Sequence, residues 1–102
     1  MGRQSRDKGA RGEREFALFL TERGFEAYRG RQFQGGEDSP DVICKPLKNI
    51  HFEVKRTEKL SVYPALDQAI ADGGESKTPI VAHRRNEREW LAILRAEDLL
   101  EM

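Results

Sequence analysis

The sequence predicts one α/β domain, a mixed β-sheet flanked by helices in the order α-β-β-β-α-β-β-α. Three observations carry that prediction. The chain has 102 residues, the size of a single domain. Its first third holds an apolar stripe at helical spacing, whereas residues 40–55 and 78–94 hold short alternating runs bounded by Gly, Pro and Asn. Between those two strand regions lies a second helical pattern, which suits a crossover connection over a sheet.

Residues 1–8 are polar and without periodicity, and are expected to form a flexible basic arm ahead of a single domain spanning 9–102. From Gly9 to Gly24 the pattern is helical. Glu13, Phe16, Ala17 and Leu20 fall at i, i+3, i+4 and i+7, one stripe of a helix, and Gly24 is a natural stop. Residues 25–31 read as a strand, and residues 32–39, with Gly35-Gly36, as a loop. Residues 40–45 and 50–55 read as two strands of a hairpin around a turn at 46–49. Ser61 is a plausible N-cap for a helix through Leu66, Ala69 and Ile70 to Gly73-Gly74, with Pro64 tolerated in its first turn. Residues 78–84 and 88–94 are strands, and 96–100 a short terminal helix.

Composition narrows the function classes. No unbroken apolar run is longer than that of residues 16–20, far short of the ~20 residues that span a bilayer. The polar, basic N-terminal stretch lacks the apolar segment of a secretory signal, so a cytoplasmic protein with no membrane attachment is expected. The single cysteine, Cys44, excludes an intramolecular disulfide framework and a cysteine-based zinc cluster. Formal net charge is zero, which argues against coating nucleic acid by bulk charge. The zero is unevenly distributed, however: residues 1–32 carry eight basic and five acidic groups, residues 61–102 five and eight.

The stretch that carries chemistry is Pro40-Asp41-Val42-Ile43 followed by Phe52-Glu53-Val54-Lys55. Glu53 and Lys55 are two apart and project from one face of their strand, with Phe52 and Val54 on the other. A hairpin brings Asp41 to that same face. Carboxylates are hard ligands suited to Mg²⁺ or Mn²⁺, and a cation held by two of them keeps open positions for water and a phosphate. A neighbouring lysine can neutralise charge developing on phosphorus. Glu13 occupies a core-facing helical position where an apolar residue is expected, so it is a third candidate carboxylate. Gln68, on the second helix, faces either solvent or this site. The competing reading makes Asp41 a strand opener and Glu53/Lys55 a solvated pair. His51 and His83 are isolated and read as ordinary strand or surface histidines, Cys44 as a small core residue, and Trp90 as a core tryptophan beside a charged turn.

With these residues in place, the chain resembles the PD-(D/E)xK nuclease superfamily, and within it the small Holliday junction resolvase-type nucleases of archaea and their short phage and prophage relatives. Lys8-Gly9-Ala10-Arg11-Gly12-Glu13-Arg14-Glu15 is similar to the family's entry into the first helix. Arg23-Gly24-Phe25 resembles its step into the first strand, Ser39-Pro40-Asp41-Val42 and Glu53-Val54-Lys55 its catalytic strands, and residues 79–91 the tail of the phage relatives. The resemblance implies a restriction-endonuclease-like fold and a metal-dependent DNA endonuclease, acting on four-way junctions as a homodimer. In it Asp41, Glu53 and Glu13 hold Mg²⁺, with Mn²⁺ able to substitute, and Lys55 is the catalytic lysine; Gln68 joins the candidate catalytic residues from its place on the second helix, not from the resemblance. Arg3, Arg6, Lys8 and Arg11 on the arm, and Lys45, Lys48, Arg56 and Lys59 around the site, are the expected DNA contacts. The chain is shorter than the archaeal enzymes and electrically neutral. A nuclease for other branched, nicked or single-stranded DNA, or a non-catalytic DNA-binding module of the same fold, remains the alternative.

Overall fold

The computed structural model describes residues 2–30 and 40–102, with side chains from residue 9 onward; the expected 32–39 loop, and the side chains of Arg3, Arg6 and Lys8, lie outside the described residues. The elements are α1 (Gly2–Glu22), β1 (Ala27–Arg29), β2 (Val42–Cys44), a 3-10 turn (Lys45–Leu47), β3 (Ile50–Arg56), α2 (Val62–Gly73), β4 (Thr78–Arg84), β5 (Leu91–Ile93) and α3 (Ala96–Leu100). The order is the one the sequence predicts. Five strands form one sheet in chain order. Three of its pairings are antiparallel and one, β3 with β4, is parallel, with α2 as the crossover that a parallel pair requires.

Three boundaries differ from expectation, each for a local reason. α1 reaches back to Gly2 instead of starting at Gly9, so residues 2–8 continue the helix; Arg, Gln and Lys have good helix propensity. The first strand shrinks to three residues because it lies at the sheet edge and pairs only with the equally short β2. β5 starts at Leu91 because Arg85–Arg88 form a turn closed by Arg88 N–H donating to the Arg85 carbonyl, with Glu87 at a φ of 63°. At the end of α1, Gly24 takes a φ of 93°, and Phe25 N–H reaches the Leu20 carbonyl at 3.0 Å. A side chain would resist that left-handed turn.

The sheet is covered on both faces. On one, α1 packs Phe16, Ala17 and Leu20 onto Val42, Cys44, Phe52, Ile80 and Ala82. Trp90 joins this layer with its ring 4.9 Å from Phe16, so it is a core residue, and Cys44 is buried there too. On the other face α2 packs Ala65, Leu66 and Ala69 against Val81. The alternation of β3 follows: Phe52, Val54 and Arg56 face α1, while His51, Glu53 and Lys55 face α2. Among the described residues no helix is long and apolar enough to cross a membrane.

Candidate active site

β3 is the strand on which the site is built. Its last turn of alternation places Glu53, Lys55 and His51 in a row on the face beneath α2. β2 meets β3 with Val42 opposite Phe52, and Asp41 stands just ahead of β2. Asp41 N–H donates to the Phe52 carbonyl at 3.0 Å. Its carboxylate Oδ2 accepts the Val54 backbone N–H at 2.8 Å. The side chain thus substitutes for a ladder acceptor where β2 begins, and that bond fixes it beside Glu53. This is the pairing that a hairpin between the two motifs predicts.

The electrostatics report the same convergence. The Asp41 carboxyl is raised from 3.8 to about 7, first by burial and then by the charge of Glu53, with Glu13 adding to the rise; the Val54 N–H and the Lys55 ammonium oppose it. The Glu53 charge is therefore close enough to disfavour ionisation of Asp41. That crowding, in a set of hard oxygen donors, is what a divalent cation relieves, so the residues fit such an ion.

Lys55 Nζ donates to Gln68 Oε1 at 2.8 Å. α2 therefore supplies the side chain that holds the lysine, and Gln68 faces the site, not bulk solvent alone. Glu13 is buried, 7% exposed, as its place on the apolar stripe implies. It is paired with Arg29 of β1, Nε to Oε1 at 3.0 Å. Its charge reaches Asp41, but its hydrogen bond is committed to the arginine. Glu15, two residues on and about 200° around the helix, ties α1 to the sheet by accepting from Arg56 at 2.7 Å and Arg84 at 3.1 Å.

Sequence reasoning missed two features. His51 is completely buried, with Nε2 3.2 Å from Glu53 Oε1. Among the described residues, His51, Glu53 and Asp72 of α2 bring ligand atoms within 4.8 Å of one another. The signal available was the polar His-x-Glu-x-Lys alternation on a strand flanked by apolar residues. The second is Arg14, which with Arg11, Gly12, Glu15, Leu18, Arg56, Thr57, Glu58 and Asn86 lines a groove of ≈ 540 Å³. Arg11 and Arg56 of the expected DNA contacts lie here, at the C-terminal end of β3. Arg56 is held by Glu15. Lys59 is exposed in the following loop. Lys45 and Lys48 do not flank the Lys55 end. They sit at the opposite end of β3, which is about 20 Å long at 3.3 Å per residue, because the turn joining β2 to β3 carries them there. Lys45 there pairs with Glu26 at 3.4 Å.

Comparison with known proteins follows this geometry. A family model described as archaeal Holliday junction resolvase (Hjc) matches residues 4–99. Among solved structures, that of Archaeoglobus fulgidus Hjc, described as a Holliday junction resolvase from an archaeal hyperthermophile, superposes with a TM-score of 0.62 at 24% identity, covering 85% of this chain and 72% of the other. No curated protein sequence matches the chain.

Proposed function

Since the chain belongs to the archaeal Holliday junction resolvase (Hjc) family and is a resolvase-like nuclease, we propose that it hydrolyses phosphodiester bonds of four-way DNA junctions at Asp41, Glu53 and Lys55, with a divalent cation. The observation that carries this reading is the Asp41 carboxylate, pinned to Val54 N–H and sensing both Glu53 and Lys55. Asp41 and Glu53 would hold the cation through their oxygens. When bound, Mg²⁺ polarises a phosphoryl oxygen and makes its water a better nucleophile, and Mn²⁺ supplies the same chemistry. Lys55, steadied by Gln68, has two further N–H groups for the negative charge that grows on the phosphate. Glu13 adds negative potential at Asp41 while Arg29 neutralises it locally.

The DNA path we assign runs over the Arg11/Arg14/Arg56 groove and the Lys59 loop; Arg3, Arg6 and Lys8 are proposed as further contacts from the sequence alone. Symmetric cleavage of a four-way junction needs two sites facing two strands, and a two-fold homodimer supplies them. The test is cleavage of a labelled four-way junction and its matched linear duplex with Mg²⁺, by wild type and Glu53→Ala in parallel. Junction-selective, metal-dependent cuts absent in the variant are expected. Equal cutting of both substrates leaves a nuclease without junction selectivity. No cutting with Mg²⁺ or Mn²⁺ overturns the catalytic reading in favour of a binding module.

A further inference from the structure

His51 is the one fully buried imidazole, and the reading above gives it no task. It shares the α2-facing side of β3 with Glu53 and Lys55. Nε2 lies 3.2 Å from Glu53 Oε1, and Nδ1 is buried without a hydrogen-bond partner. The ring is confined on two sides. At Gly73 of α2 the backbone passes so close that a Cβ would lie 3.0 Å from His51 Cβ and 3.1 Å from Cγ. On β4 the residue opposite is Pro79, itself buried.

From this arrangement we infer that His51 is a positioning residue for Glu53: its Nε2–H donates to Oε1 and holds the carboxylate with its second oxygen turned to the cation. The inference rests on the reading of Glu53 as a metal ligand. An ionised carboxylate only accepts, so the nitrogen facing it must carry the hydrogen. A neutral imidazole has one N–H, which leaves Nδ1 bare. That accounts for its lack of a partner, because a buried N–H without an acceptor is tolerated less often than an idle lone pair. A free glutamate side chain must lose its rotamer freedom when it binds metal. A histidine clamped between Gly73 and Pro79 removes that freedom beforehand. Hydrogen bonds of this kind to metal-binding carboxylates typically change metal affinity 10–100-fold.

Two amide variants separate the hydrogen bond from the packing. In His51→Gln the amide nitrogen falls near the place of Nε2; in His51→Asn it stops near the place of Nδ1, out of reach of Glu53. Mn²⁺ binding to the full chain without DNA is measured by calorimetry, together with the Mg²⁺ concentration that half-saturates junction cleavage and the junction affinity in EDTA. His51→Asn should weaken Mn²⁺ binding and raise the Mg²⁺ requirement about tenfold with EDTA affinity unchanged, and His51→Gln should stay within about threefold of wild type. Equal effects of the two variants, or none from either, overturn the inference. Should His51→Asn fail to fold, wild type still decides. Long-range ¹H–¹⁵N spectra of the two histidines should show His51 protonated at Nε2 and bare at Nδ1, unchanged by Mg²⁺. A proton on Nδ1, or loss of Nε2–H when Mg²⁺ binds, overturns it. Failure of the wider reading looks different: wild type and Glu53→Ala then bind Mn²⁺ alike and neither cleaves, and the role of His51 falls with that of Glu53.

Discussion

Replacing Asp41 by Asn should stabilise the metal-free protein in a pH-dependent way. The amide keeps an oxygen for the Val54 N–H, which Asp41 Oδ2 accepts at 2.8 Å, but removes the charge that burial and Glu53 disfavour. The folded value of about 7 stands above the ordinary 3.8, so between those values the folded state holds a proton that the unfolded state has lost. Stability from this group is present in full below pH 3.8 and is lost as pH rises toward 7. At ~1.4 kcal/mol per pH unit, the loss between about pH 5 and pH 8 is roughly 2–3 kcal/mol. In a domain of this size that is a Tm change on the order of 10 °C. The assay is unfolding of wild type and Asp41→Asn in EDTA at both pH values. The variant should gain on wild type by that amount on going from pH 5 to pH 8. Adding Mg²⁺ at pH 8 should then close part of the gap by stabilising wild type selectively. Parallel pH dependence of the two proteins would refute the argument, because it would mean that Asp41 does not sit in a crowded, dehydrated carboxylate pair.

Three further outcomes follow from contacts around the site. Gly12→Ala should destabilise by about 1–3 kcal/mol in urea unfolding, despite alanine's better helix propensity, because its Cβ would lie 2.7 Å from Arg56 Cβ where α1 crosses β3. Gln68→Ala should slow single-turnover junction cleavage about tenfold with unchanged junction binding in EDTA, since Lys55 Nζ loses the acceptor that orients it. Arg29→Ala should cost about 2–4 kcal/mol by leaving Glu13 buried and unpaired, and adding Glu13→Gln should return much of that in a double-mutant cycle read by thermal unfolding.

How much was legible in the sequence depended on whether the signal was local. The order of elements was legible because each carries its own period and its own stop, Gly24 after α1 and Gly74 after α2. Strand lengths were not, because a strand ends where its partner ends: β1 is short because β2 is short, a fact of pairing that no window of residues contains. The placement of Asp41, Glu53 and Lys55 was legible from alternation plus one hairpin. The buried Glu13 was legible as a charge on an apolar stripe, but its partner Arg29, sixteen residues away, was not. His51 is the strand residue the sequence suggests, but its complete burial and its contact with Glu53 were not legible, because they come from α2 closing over that face of β3 and from Gly73 making room for the ring.

The neutrality of the chain, which at first argues against a DNA enzyme, becomes intelligible once the charges are located. Arg29 answers Glu13, and Arg56 and Arg84 share Glu15, so three arginines are used to bind α1 to the sheet. The Glu15 pairs are partly exposed, and such pairs contribute little net stability. What they add is register: they fix the rotation of α1 about its axis, and with it the distance of Glu13 from Asp41. The sheet does the same for the other carboxylate. β3 is the strand at which antiparallel pairing with β2 gives way to parallel pairing with β4, so Asp41 comes from one side by a short turn and the α2 residues Gln68 and Asp72 from the other by a crossover. Asp41, Glu53, Lys55 and Gln68 are therefore gathered from the start of β2, from β3 and from α2 without a large basic surface. On the proposed reading, attraction for the DNA backbone rests on local cations such as Arg11 and Arg14 beside the groove rather than on the net charge of the molecule.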